Sequence, residues 1–305
     1  MNKITNLFVD TKTMAGRCLL LTRRNPDMVL TSFVAPVMMM ILFAYVLGGA
    51  INVGSASYVN YIVPGIILQS LGQCATTTAI SVSTDIKTGI IDRFCTMPIK
   101  KSSILSGHVW ESFSRNGLAT ILVVAVAFLV GFRPKADFAG WLLVLLILSL
   151  YILAISWCSI FFGIIAKSPE GAGAFSVFAI ILPYLSSGFV PTDTMPKALE
   201  LFAEHQPMTP IIDTLRTVLQ GEELQSHTLA AAILWCALLL TFFISYLSKP
   251  FEKTFLDNKN QNTIFHSKLC RLRQKSKRSY QDKRIYEDLR NQAARVMQIR
   301  QNSSE

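Results

Sequence analysis

Between residues 84 and 99 the chain reads Thr84-Asp85-Ile86-Lys87-Thr88-Gly89-Ile90-Ile91-Asp92-Arg93-Phe94-Cys95-Thr96-Met97-Pro98-Ile99. Charges alternate with isoleucines, and the run stops at a proline, which ends helices. These residue types suit recognition more than bond chemistry. A short amphipathic helix of this composition can bury Ile86, Ile90 and Ile91 in a partner's cleft. Asp85, Lys87, Asp92 and Arg93 would then pair at the rim, with Gly89 allowing close backbone approach. Reactive constellations are absent: no GxxxxGK[ST], GxGxxG, HExxH or GxSxG occurs in the 305 residues, so there is neither a nucleotide cradle nor a nucleophile. Cys18, Cys74, Cys95, Cys158, Cys236 and Cys270 show no CxxC spacing, and His108, His205, His227 and His266 are scattered. We expect no catalytic residues, no bound cofactor and no metal on this chain.

A second group is polar within apolar surroundings. Gln69, Gln73 and Thr76 or Thr77 fall on one helical face, with Ser81 and Ser83 further along, and Pro183 interrupts a helix before Tyr184, Ser186 and Ser187. Polar groups facing lipid are costly, so these should face other protein. They either hydrogen-bond across helices or line a substrate path, for which Gln69, Gln73, Thr77, Tyr184, Ser186 and Ser187 are the candidates. Phe43, Tyr45, Phe175, Phe178 and Phe189 could add an aromatic wall.

The elements that must position these groups follow from charge placement. Only 16% of residues are charged and 51% are apolar, against about 25% charged in an ordinary soluble domain, which excludes a soluble enzyme, a secreted domain and a disordered chain. Charge-free windows at residues 28–49, 58–83, 116–132, 138–166, 171–191 and 228–248 each approach or exceed the roughly 20 apolar residues that a helix needs to cross a bilayer. None alternates at period two, so the fold class is all-α: a polytopic membrane protein of six transmembrane helices, not a barrel. By this reading no ionisable group lies inside a span, which argues against proton-coupled transport. Energy for any uphill step must come from a partner.

With six spans, 25 of the 29 lysines and arginines fall on one side, so both termini are expected in the cytoplasm of a multi-pass plasma-membrane protein. Residues 1–27 read as an interfacial helix, with Leu7, Met14, Cys18 and Leu21 at helical spacing and a turn at Asn25-Pro26. Residues 192–227, with six carboxylates, read as two short external helices with N-cap hydroxyls at Thr194 and Thr209 and a stop at Gly221. Their apolar faces should dip back into the bundle as a lid. Residues 249–305 form a cytoplasmic tail with 14 basic and 6 acidic groups. Its basic run at 268–278 suits anionic membrane lipids, and Ile285, Leu289, Gln292, Val296 and Ile299 form a heptad-like stripe. Without interleaved aromatics the tail is not expected to bind nucleic acid.

Three motifs in order, Asp85…Gly89-Ile90-Ile91-Asp92-Arg93…Met97-Pro98-Ile99…Ser106-Gly107, Ser186-Ser187-Gly188-Phe189-Val190-Pro191…Met195-Pro196, and Gln206-Pro207-Met208-Thr209-Pro210…Leu215-Arg216…Gly221, resemble the permeases of type-2 ABC exporters, in particular the daunorubicin and multidrug-resistance branch. The likeness covers roughly residues 5–250. It implies a membrane subunit that dimerises, with itself or a related permease, and binds separate ABC ATPase subunits that carry the ATP and Mg. It also implies export of a hydrophobic small molecule. By the same resemblance Asp85, Ile86, Lys87, Gly89, Ile90, Ile91, Asp92, Arg93 and Phe94 form the ATPase-coupling helix. A lipid or polysaccharide exporter of the same fold, a channel, or a structural membrane protein are the alternatives.

Overall fold

The structure, a computed structural model, describes residues 3–48, 58–96, 101–166 and 168–247. The expected tail at 249–305, with its basic run and heptad stripe, and the link at 50–57 lie outside the described residues. No strand occurs among the described residues. In chain order the helices are α1 (Lys3–Arg24), α2 (Pro26–Leu42, continued by a wider turn over Phe43–Leu47), α3 (Tyr58–Lys87), α4 (Ile90–Thr96), α5 (Lys101–Val130), α6 (Phe138–Ile165), α7 (Pro169–Gly173), α8 (Phe175–Tyr184), α9 (Lys197–His205) and α10 (Met208–Gln220), then α11 (Ser226–Leu247).

Three helices, Ser103–Val130, Phe138–Ile165 and Ser226–Leu247, are long and apolar enough to cross a membrane, and Leu30–Val46 is a shorter apolar helix. Large side chains such as Leu142, Leu145, Leu146, Leu234 and Phe242 stand exposed on α6 and α11. In water such a surface would be untenable, so it is the face offered to lipid.

α3 is the central post. Ile62, Val63, Ile66, Ile67, Leu68 and Leu71 are all nearly inaccessible, with α2, α5, α6, α7, α8 and α10 packed around it. It can be less apolar than its neighbours because its surroundings are protein and not lipid. With little hydrophobic drive between helices in a bilayer, close packing of small residues takes over. A Cβ added to Gly65 would lie 2.5 Å from the Gly188 carbonyl oxygen, one on Gly72 2.7 Å from that of Ala179, and one on Gly163 2.6 Å from that of Ala79. Gly107 of α5 similarly admits Met14 of α1.

Several helix limits differ from the charge-free windows. α5 begins at Lys101 and not near 116, because its internal charges are paired. The window at 171–191 is not one continuous helix: α7 and α8 meet at Ala174, and the chain leaves helix after Tyr184, close behind Pro183. Residues 173–188 still follow α3 from Ile80 up to Gly65. Asn25 is extended, as a residue before proline tends to be, and Pro26 opens α2.

The two short helices before α11 exist, but with different starts. α9 follows Pro196, whose carbonyl accepts the Leu199 and Glu200 amides. α10 follows Pro207. Neither has a side-chain N-cap, and Thr209 lies inside α10, donating to the Ala203 carbonyl at 2.5 Å. Gly221 ends α10 at φ 69, a left-handed position that suits glycine. The expected dipping is seen in α10, whose Ile211, Ile212 and Leu215 are buried against α3 and α6. α9 leaves Leu201 and Phe202 exposed.

Candidate functional site

Two polar assemblies lie at opposite ends of α3. At its C-terminal end the 84–96 segment is two helices and not one. α3 continues through Asp85, Ile86 and Lys87, Gly89 turns the chain at φ 69, and α4 restarts at Ile90 with the Arg93 amide donating to the Gly89 carbonyl at 3.2 Å. Asp85 is therefore not a rim charge. It is buried, and Arg17 of α1 grips it with two hydrogen bonds of 2.7 and 3.0 Å, while His108 Nε2 of α5 sits 3.4 Å away. Burial alone would raise the Asp85 pKa, but the facing His108 and Arg17 outweigh it and hold the carboxyl at about 2. Hydrogen bonds to Asp85 raise the Arg17 pKa in turn. The same guanidinium lies 5.1 Å from the centre of the Phe94 ring, so one side chain joins α1, α3 and α4.

Ile91 is buried within the chain itself, and Ile86 packs on a small core with Val82, Ile160 and Ile164. Lys87 and Arg93 are exposed, and Ile90 and Phe94 are half-buried. Those four and the Gly89 turn form the surface that this end presents, with Asp92 on the same short helix.

One turn deeper, a second ion pair is almost completely enclosed. Arg115 Nη1 meets Glu111 Oε1 at 2.8 Å, each side chain 2% exposed. Arg115 also donates to the Cys74 carbonyl at 2.9 Å and to Thr78 Oγ1 at 2.5 Å, and Thr22 of α1 donates to Glu111 at 2.8 Å. The charge-free window at 116–132 is thus only the later part of a longer helix: the continuous helix Ser103–Val130 carries His108, Glu111 and Arg115 ahead of that window. Their i, i+3 and i+7 spacing on one helical face was the available signal. A cleft of about 600 Å³ opens beside these pairs, lined among others by Arg17, Leu21, Arg24, Thr84, His108 and Glu111.

At the opposite end, Gln69 and Tyr184 come together, Gln69 Nε2 donating to the tyrosine oxygen at 2.8 Å. Tyr184 stacks on Phe189 with ring centres 4.6 Å apart, and Phe43 meets Phe189 at 4.7 Å. Of the expected aromatic wall, Phe43 and Phe189 belong to this group. Phe175 instead packs on Phe162, and Tyr45 and Phe178 are exposed. Ser186 and Ser187 are buried and hold a turn: Ser186 Oγ donates to the Pro183 carbonyl at 2.5 Å, and Ser187 Oγ to Asp213 at 2.6 Å. Gln73 and Thr77 sit half-buried further along α3, with Thr77 bonded to its own helix at Cys74.

Arg216, which residue spacing alone did not single out as a site, closes this end. It pairs with Asp213 at 2.8 Å, donates to the Tyr61 and Ser187 carbonyls and lies 3.8 Å over the Tyr61 ring. Tyr61 Oη in turn donates to the Ser187 carbonyl at 2.9 Å. The turn after α8 is thereby clamped to α3 and α10.

Both assemblies are built largely within one matched region: residues 9–219 match the ABC-2 type transporter family. The chain belongs to that family. Among curated proteins, this ABC-2 type transporter chain is 26% identical over 212 residues to the daunorubicin resistance ABC transporter permease protein DrrB1 of Streptomyces coeruleorubidus, covering 69% of this chain and 75% of that one. It is also 26% identical over 224 residues to the "Probable doxorubicin resistance ABC transporter permease protein DrrC" of Mycobacterium tuberculosis strain H37Rv, covering 72% and 80%. It is a polytopic, helical membrane permease of the ABC-2 type.

Proposed function

We propose that the chain is the permease subunit of an ATP-driven exporter that moves a hydrophobic small molecule such as a drug or antibiotic out of the cell. The observation that carries this reading is the likeness, over at least three quarters of their length, to relatives named for daunorubicin and doxorubicin resistance. In this reading six crossings are made by α2, α3, α5, α6, the broken segment α7–α8 and α11, with both termini in the cytoplasm. The end bearing α1 and α4 then faces the ATPase, and the end bearing α9 and α10 faces outward.

The chain dimerises with itself or a related permease and docks separate ABC ATPase subunits, which hold the ATP and Mg. Lys87, Gly89, Ile90, Asp92, Arg93 and Phe94 form the docking surface, and Asp85, Ile86 and Ile91 anchor it to the bundle. A push on α4 reaches α1 and α3 together, because Arg17 contacts Phe94 and Asp85 at once. The cargo route runs along α3, where Gln69, Gln73 and Thr77 and the turn of Tyr184, Ser186 and Ser187 supply polar contacts.

Co-expression with a cognate ABC ATPase should lower cellular accumulation of a fluorescent hydrophobic dye, and a hydrolysis-dead ATPase should not. Ile90→Asp or charge reversal at Arg93 should weaken ATPase co-purification while leaving the permease in the membrane. Normal ATPase binding and export in both variants would overturn the docking assignment. No ATP-dependent change with any co-purifying ATPase would overturn the exporter reading.

A further inference from the structure

We propose that the cleft between the C-terminal end of α1, the last turns of α3 and α5 seats the headgroup of one anionic phospholipid from the cytoplasmic leaflet. The inference rests on the topology proposed above, which puts α1 at the level of the headgroups. The cleft, about 600 Å³, is amphipathic in the manner a phospholipid requires. Leu21, Pro26, Ile80 and Ile90 give it an apolar wall, and Leu19, Leu20 and Leu21 stand exposed beside it on the last turns of α1, where acyl chains would lie.

Charge decides which lipid. The two carboxylates of the lining are already satisfied: Asp85 by Arg17 and His108, and Glu111 by Arg115 and Thr22. The cation left over is Arg24, exposed at the rim with no ion-pair partner among the described residues. The Arg17 side chain, still 25% exposed, adds to the field. A cationic amphiphile would have to draw Asp85 or Glu111 away and strand a buried guanidinium. A phosphodiester needs only Arg24, with the Asn25 side chain also lining the cleft. The Thr84 and Thr88 hydroxyls already donate to the Ile80 and Thr84 carbonyls and shape the mouth without binding the anion. The lipid would bridge α1 to the α3–α4 turn, at the surface proposed to meet the ATPase.

The test is native mass spectrometry of the full-length protein titrated with phosphatidylglycerol, phosphatidylcholine or inorganic phosphate. Wild type should retain one phosphatidylglycerol per chain in preference to phosphatidylcholine, and inorganic phosphate should not displace it. Arg24→Gln should weaken retention about fivefold, the equivalent of about 1 kcal/mol per surface cation. Thr84→Trp, which fills the mouth, should abolish it. Arg23→Gln removes an adjacent exposed cation that does not line the cleft and should change nothing. The basic tail is the same in all variants, so its own attraction for anionic lipid cancels. Equal losses in Arg23→Gln and Arg24→Gln, displacement by phosphate, or equal retention of phosphatidylcholine would each overturn the proposal. Retention is read without transport or an ATPase, so its failure leaves the exporter reading standing.

Discussion

Replacing Arg115 with methionine removes three attachments at once: the 2.8 Å pair with Glu111, the 2.9 Å bond to the Cys74 carbonyl and the 2.5 Å bond to Thr78. The carboxylate left behind is 2% exposed, and only Thr22 still donates to it. Breaking a buried ion pair from one side costs about 3–5 kcal/mol, chiefly because an uncompensated charge stays buried. The surviving Thr22 bond places the expected loss near the lower bound, about 3 kcal/mol. A compensating change checks that mechanism. Glu111→Gln on the Arg115→Met background removes the stranded charge while keeping an acceptor for Thr22, and should recover about half the loss. Equilibrium unfolding of the purified protein in mixed micelles measures both steps. The reasoning fails if Arg115→Met lies within about 1 kcal/mol of wild type. It fails equally if the second substitution deepens the loss, since Glu111 would then be stable without its arginine.

Gly65→Ala should destabilise the bundle and lower its membrane abundance, because the new Cβ meets the Gly188 backbone at 2.5 to 2.9 Å and neither chain can give way cheaply. Thermal stability in detergent checks it. Arg216→Ala should cost about 1–2 kcal/mol, from the exposed-side pair with Asp213 and the stack on Tyr61, and should raise hydrogen exchange selectively in the turn at residues 185–190. Asp85 has its pKa depressed from 3.8 to about 2, so its contribution is complete above about pH 4 and is lost as pH falls toward 2. Hydrogen exchange in α1 should rise across that window, and Asp85→Asn should abolish the step.

Helix placement was legible wherever apolar surroundings, lipid or buried protein, dictate composition. The window at 58–83 corresponds to α3 and the window at 138–166 to α6, because a helix among apolar neighbours excludes charge. α5 departs from that rule, since Glu111 and Arg115 neutralise each other on one face and a charge-counting boundary stops short of them. The α3–α4 break at Gly89 was visible only as a glycine, its left-handed conformation being a property of the turn. Gln69 and Tyr184 are each legible as polar residues in apolar surroundings, but their direct pairing is a product of packing. Arg17 with Asp85, and Arg216 with Tyr61 and Ser187, join positions related by no helical period. Packing of distant segments brings them together, and periodicity within one sequence holds no record of it.

The burial of α10 bears on how the protein is made. A thirteen-residue helix carrying Asp213 and Arg216 is too short and too polar to enter a bilayer by itself, and its buried Ile211, Ile212 and Leu215 find their seat only where α3 and α6 already stand together. Its docking must follow lateral assembly of helices synthesised well before it. A nascent chain with α3 or α6 misplaced would leave that apolar face uncovered in the 192–227 segment. The helix thus reports on the success of earlier insertion, since its apolar face is covered only once α3 and α6 are in place.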